Sequence, residues 1–248
     1  MTGASSGIGA ATALKLAGLG AKVLLAARRA DRLERVQSAI ANAGGQASSL
    51  PLDVSREEDC LAFAQQALRT HEDLDILVNS AGLARGFEPV TENDERDWRE
   101  MFEANVMGLM RLTRAFLPAF IRRERADIVH VGSIAGLMPY AKGAAYCASK
   151  AAVEAFVRAL RLELVGTGVR QLVIEPGMVE TEFSLVRFHG DEARAKAVYE
   201  GVTPLKAEDI ADCIAFSLTR PAHVSVQTLL VTPTAQAAPS AVARRARD

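Results

Sequence analysis

Apolar residues in this chain recur with two periods. Short runs rich in Val, Leu and Ile, such as VLLAA at 23–27, ILVN at 76–79 and IVHV at 128–131, alternate with helix-length stretches whose apolar positions fall three and four apart. Strands apolar on both faces suit a parallel sheet covered on both sides, and strand–helix alternation is how such a sheet is connected. The pattern predicts strands over 22–27, 47–52, 74–79, 127–131, 170–174 and 228–231, and helices over 7–19, 31–43, 55–70, 94–122, 144–166 and 207–218. Gly44-Gly45 closes the second helix, and Ser55 with Glu58 has the spacing of a capping box for the third. The fold class expected is α/β, a doubly wound, mostly parallel sheet flanked by helices on both faces. Residues 1–234 are expected to form a single domain. Residues 235–248, Ala, Pro and Arg without periodicity, are expected to form a flexible tail.

One absence stands out. The Gly-rich turn begins at Thr2, with only Met1 before it, so the strand that should feed it is missing. In a doubly wound sheet that strand lies between those predicted at 22–27 and 74–79, and its loss leaves a gap of about 9–10 Å. Each buried backbone group left without a partner there costs about 1–3 kcal/mol. The expectation is that the true start lies upstream, which translating the upstream DNA in frame would test.

Composition narrows the class. Lys and Arg number 29 against 30 Asp and Glu, a formal charge of −1, which lacks the electrostatic footprint of a nucleic-acid binder. Cys60, Cys147 and Cys213 form no C-x-x-C pair, and His71, His189 and His223 share no ligand spacing, so neither a disulfide framework nor a metal site is expected. No run is apolar for long enough to cross a bilayer, and no signal-peptide pattern follows Met1. A cytoplasmic protein is expected.

TGASSGIG at 2–9 places Gly3, Gly7 and Gly9 as G-x-x-x-G-x-G at the opening of a helix. Such a turn lets backbone N–H groups approach a pyrophosphate at a helix N-terminus, although a Gly/Ser linker has the same composition. About twenty residues on, where an acidic side chain would select NAD, stand Arg28 and Arg29, whose guanidinium groups suit a 2′-phosphate. NADP(H) is favoured over NAD(H), which is not excluded. Asp53 could accept from an adenine amino group or help start the Ser55 helix, and small residues in Asn79-Ser80-Ala81-Gly82 would let a nucleotide come close.

Tyr146 and Lys150 stand four apart in YCASK, so they share one helix face. A nearby ammonium favours a phenolate, which would make this tyrosine a usable acid/base. Ser133 follows the strand at 127–131, at the carboxyl edge where α/β sites form, and its hydroxyl can hold a substrate oxygen.

Together these residues resemble the short-chain dehydrogenase/reductases in their core-only form of about 250 residues, with a Rossmann-like sheet. The resemblance runs from Thr2 to about Gln236 and rests on TGASSGIG, NSAG at 79–82, Asn105, Ser133, YCASK and PGMVET at 176–181. It implies that Tyr146 is the general acid/base, that Lys150 lowers its pKa and contacts the nicotinamide ribose, that Ser133 orients substrate, and that Asn105 supports a water relay. It places Gly3, Ser5, Ser6, Gly7, Ile8, Gly9, Arg28, Arg29, Asp53, Val54, Asn79, Ala81, Gly82, Pro176, Gly177, Val179 and Thr181, with Tyr146 and Lys150, around the dinucleotide. Two positions depart from the family habit: Ser80 replaces a second Asn, and His130 stands where Asn is common.

The implied activity interconverts an alcohol and a ketone or aldehyde by hydride transfer. The segment 182–202 falls where the family carries its substrate lid and offers Phe183, Leu185, Val186, Phe188 and Tyr199 for an apolar cleft. Arg187, Arg194 and Lys196 could equally meet a carboxylate. The ending RPAHVSV at 220–226 resembles a branch containing NADP-dependent 3-hydroxy-acid dehydrogenases. The family's two long helices, here 98–122 and 144–166, usually form a tetramer interface, so a homotetramer or dimer is implied, with Ala148, Ala152, Ala155 and Ala159 permitting close packing. The alternative is a non-catalytic NADP(H)-binding sensor or scaffold of the same fold, which NADPH titration followed by a carbonyl screen would separate from an enzyme.

Overall fold

The computed structural model describes residues 1–245. In chain order its elements are α1 (Gly7–Gly18), β1 (Lys22–Ala27), α2 (Ala30–Asn42), β2 (Gln46–Pro51), α3 (Glu57–Thr70), β3 (Ile76–Asn79), α4 (Glu95–Phe102), a π-helical turn (Glu103–Met107), α5 (Gly108–Phe120), β4 (Ala126–Val131), α6 (Ile134–Leu137), α7 (Ala144–Glu163), β5 (Val169–Pro176), α8 (Phe183–Arg187), α9 (Glu192–Ala197), α10 (Ala207–Leu218), β6 (Thr228–Val231), β7 (Gln236–Ala238) and β8 (Ala241–Val242). β1 pairs with β2, and β3-β4-β5-β6 form a second ladder in that order, all parallel. Successive strand residues face opposite layers. Leu25, Val129 and Ile174 join Ala13, Leu33 and Ile210 of α1, α2 and α10, whereas Leu24 and Ile128 join Phe63, Phe116 and Leu160 of α3, α5 and α7.

The expected gap between β1 and β3 exists but is not complete. Thr2 N donates to Val78 O at 2.9 Å, while Ala26 N donates to Met1 O at 2.9 Å and Ala4 N to Ala26 O at 3.2 Å. The Met1 amine donates to Leu24 O at 2.8 Å. Two residues therefore stitch both halves together at their carboxyl ends, which corrects the expectation of a wholly open gap.

Three other expectations change. Ser55 does not cap α3; its N and Oγ donate to Asp53 Oδ1 at 3.0 and 2.7 Å, and the helix begins two residues later. The long helix at 94–122 is split by the π turn that carries Asn105. The C-terminal segment is structured beyond 234: β7 and β8 form a hairpin, Gln236 is buried, and Arg245 N donates to Gly201 O at 2.9 Å. Short side chains without period had hidden a backbone-paired hairpin, and residues 246–248 of the expected tail lie outside the described residues.

Candidate active site

The carboxyl ends of β1 to β5 open into a cleft of about 800 Å³. At one end lies the turn that precedes α1. Gly3 has a φ of +63°, and a Cβ there would meet Ala81 N and Ser80 O at 2.8 Å; a Cβ on Gly9 would run into the Gly3 carbonyl. Thr2 Oγ1 accepts from Ser80 N and Ala81 N at 3.1 Å each, tying this turn to the loop after β3. Only glycines let the two loops lie this close, and the close approach aims the first turn of α1 into the cleft.

Arg29 Nη2 donates to Ser5 Oγ at 3.1 Å and Ser6 Oγ at 2.9 Å, so one guanidinium spans the turn. Its Nη1 reaches Glu182 at 3.2 Å, and Arg32 reaches the same carboxylate at 2.6 Å. These two cations hold the Glu182 carboxyl below its usual range, the Arg32 hydrogen bond being the larger influence. Sequence reasoning missed Arg32 and Glu182, because their spacing across 150 residues carries no local pattern.

At the other end are Ser133, Tyr146 and Lys150. Ser133 caps α6, accepting from Ala135 N at 3.1 Å. Lys150 lies one helical turn beyond Tyr146; its Nζ donates to Val131 O at 2.8 Å and sits 6.0 Å from the Tyr146 ring centre. Both side chains are more than nine-tenths buried. Burial raises the Tyr146 pKa above the ordinary phenol value, opposed first by the positive charge of Arg187. Burial lowers Lys150, opposed by the charge of Glu175. The cation nearest the ring is Arg187 rather than Lys150, with its guanidinium carbon 5.0 Å from the Tyr146 centroid.

Gly3, Ser5, Ser6, Gly7, Ile8, Gly9, Arg28, Arg29, Asp53, Val54, Ala81, Gly82, Ser133, Tyr146, Lys150, Pro176, Gly177, Val179 and Thr181 all line the cleft. Two expected residues lie behind its wall. Asn79 is buried and donates to Thr113 Oγ1 at 3.1 Å. Asn105 accepts from Leu83 N at 2.8 Å and donates to Leu83 O at 2.9 Å and Ser149 Oγ at 3.1 Å, clamping the loop after β3 against α7. The Asp53 carboxylate is engaged by Ser55.

Of the cations at 187, 194 and 196, Arg187 lies over Tyr146. Arg187 Nη2 donates to Tyr140 OH at 2.8 Å, its guanidinium lies over Tyr146 and Phe183, and its Nε is buried without a hydrogen-bond partner. Arg194 pairs with Glu88 at 3.1 Å and Lys196 with Glu192 at 3.6 Å.

Residues 1–190 match the family model described as short chain dehydrogenase. The chain is 42% identical to the NADP-dependent 3-hydroxy acid dehydrogenase of Schizosaccharomyces pombe, over 99% of this chain and 95% of that protein. It is 41% identical to sulfoacetaldehyde reductase 2 of Chromohalobacter salexigens, over 96% and 94% of the two. Among solved structures, the closed form of serine dehydrogenase complexed with NADP+ matches with a TM-score of 0.92 at 37% identity, covering 99% of this chain and 98% of that one.

Proposed function

The chain belongs to the short-chain dehydrogenase family, and on that premise we propose that it interconverts the alcohol and carbonyl forms of a small anionic substrate with NADP(H). The observation that carries this reading is the meeting of Ser133, Tyr146 and Lys150 at one end of a cleft whose other end is the Gly3–Gly9 turn. The cofactor fits the residues present: the glycines keep clear the space a Cβ would fill, and Arg29 stands at the turn with a guanidinium suited to a 2′-phosphate. Bound there, NADPH supplies a hydride to a carbonyl carbon.

The chain's own residues handle the oxygen. Ser133 and Tyr146 hydroxyls hold it between them, and Tyr146 donates its proton as the carbon is reduced. In the opposite direction the Tyr146 phenolate takes the alcohol proton. Burial makes that phenolate scarce near neutrality, so oxidation accelerates as pH rises, whereas reduction uses the protonated form already at hand. Lys150, fixed by Val131 O, holds a positive charge beside the pair. Phe183 packs its edge against Tyr146 with ring centres 5.6 Å apart, which excludes water from the transfer.

The Arg187 guanidinium, which lines the cleft over Tyr146, selects the substrate class. A carboxylate or sulfonate on the carbon next to the carbonyl, or one carbon further, would pair with it while the carbonyl oxygen meets Tyr146. Relatives named for a 3-hydroxy acid and for sulfoacetaldehyde act on anions of this size. The free cysteines fit a reducing compartment such as the cytoplasm. Ala148, Ala155 and Ala159 of α7 are exposed, as are Phe102 on α4 and Met107 on the π turn, apolar surface suited to pairing with another copy.

The test follows NADPH absorbance against short oxo-acids, sulfonated aldehydes and their uncharged analogues. Tyr146→Phe is expected to lower kcat by roughly 10²–10⁴-fold. Arg187→Leu should raise KM for the anionic compounds alone. Near-normal turnover by Tyr146→Phe would refute the assignment.

A further inference from the structure

At the end of the cleft away from Tyr146, the arginine suited to a 2′-phosphate is already paired with an anion of the chain itself. Arg29 Nη1 donates to Glu182 Oε2 at 3.2 Å, and Arg32 Nη1 donates to both Glu182 oxygens at 2.6 Å. Arg29 and Glu182 line the cleft. Nothing in the reaction described above uses a carboxylate at this end. Glu182 immediately precedes α8, whose Phe183 and Arg187 lie against Tyr146, while Arg29 and Arg32 stand at the start of α2.

The Glu182 carboxylate is ionised at neutral pH, so a 2′-phosphate brought to Arg29 is a second anion on the same cation. Arg29 keeps N–H groups for it: a guanidinium has five, and the printed partners of this one, Glu182, Ser5 and Ser6, take three. The contest is therefore over charge rather than over donors. Like charges at close range oppose each other, and Arg32, the nearer partner of Glu182, offsets part of that repulsion. The side chains of Arg29, Arg32 and Glu182 are 43%, 34% and 44% exposed, so an arriving anion can reach them, and water keeps the effect severalfold in size.

We propose that Glu182 sets how strongly the protein distinguishes NADP(H) from NAD(H): its carboxylate is an internal anion that competes with the 2′-phosphate for the charge of Arg29, and Arg32 moderates the competition. The inference rests on the reading that Arg29 receives the 2′-phosphate. A carboxylate that only braced α8 against α2 would behave differently, because loosening a brace moves the affinities of phosphorylated and unphosphorylated nucleotides together.

The probes are 2′,5′-ADP and 5′-AMP, which differ only in the 2′-phosphate, each titrated into the protein by isothermal calorimetry. In Glu182→Gln the amide oxygen can still accept from Arg32, but the charge is gone. There 2′,5′-ADP should bind about three- to fivefold more tightly, with 5′-AMP unchanged. In Arg32→Gln the carboxylate is left to Arg29 alone, so 2′,5′-ADP should bind more weakly by a similar factor, and combining the two substitutions should abolish that loss. A loss that persisted in the double variant would overturn the role given to Arg32. An unchanged or lower ratio of the two affinities in Glu182→Gln would overturn the proposal while leaving the cofactor reading intact. A parent protein that bound 2′,5′-ADP no more tightly than 5′-AMP would instead sink the cofactor reading, and this inference with it.

Discussion

The β3–β6 half of the sheet and the β1–β2 half are held by different means. In the first, four parallel strands pair without interruption, and Ser133, the Val131 carbonyl that receives Lys150, and Glu175 all hang from β4, β5 and the residues just after them. The second is joined to it at Met1 and Thr2, and from that joint the glycine turn and Arg29 project. Groups proposed to move a proton need their geometry fixed to within fractions of an ångström, and the uninterrupted ladder would provide that. The turn that would receive phosphate relies on main-chain amides and on clearance instead, so its vulnerability is steric.

The largest effect expected from this contrast is at Gly9. A methyl group there meets the Gly3 carbonyl, and overpacking against backbone costs about 1–3 kcal/mol, so NADPH should bind roughly 5- to 150-fold more weakly to Gly9→Ala in a fluorescence titration. If Gly9→Ala bound NADPH like the parent, the contrast would fail. A smaller effect separates the two cofactors. Arg29→Ala should weaken NADP(H) about tenfold, through loss of charge-assisted hydrogen bonds, and leave NAD(H) unchanged. Equal losses for both would show that Arg29 braces the turn through Ser5 and Ser6 and does not read the phosphate.

A third effect, on stability rather than binding, lies in the continuous half. Burial depresses His130 to about 3, against an ordinary value of 6.5. As pH falls below the ordinary value the unfolded chain takes up this proton first, so stability drops at about 1.4 kcal/mol per pH unit until the folded value is reached. His130→Asn, whose amide can still meet Asn79, should flatten that slope in urea titrations run between pH 7 and pH 4. A slope unchanged by the substitution would show that acid opens some other part of the protein.

Much of the fold was legible because its signals are local. The run Val23–Ala27 reads as a buried strand by composition, and Tyr146 and Lys150 read as neighbours by helical spacing. What escaped was set by contacts distant in sequence or by backbone pairing. The β7–β8 hairpin is made by main-chain bonds between Ala and short polar residues, which leave no period. Asn105 was assigned by likeness alone, and its place on a π turn, clamped to Leu83, depends on a backbone irregularity that no residue pattern announces. Glu175 gives the clearest case: an acid inside a strand run of Leu, Val and Ile looks like an interruption until Gly132 and Ser133 are seen around it.

The hairpin has a practical consequence for anyone handling this protein. Gln236 reaches back to give Met178 N an acceptor at 2.8 Å, and Pro239, Val242 and Arg244 form part of the rim of the opening. An affinity tag fused after residue 245 would therefore hang beside the mouth through which small molecules must pass, and kinetic constants measured on such a fusion would carry its imprint until the tag is cleaved.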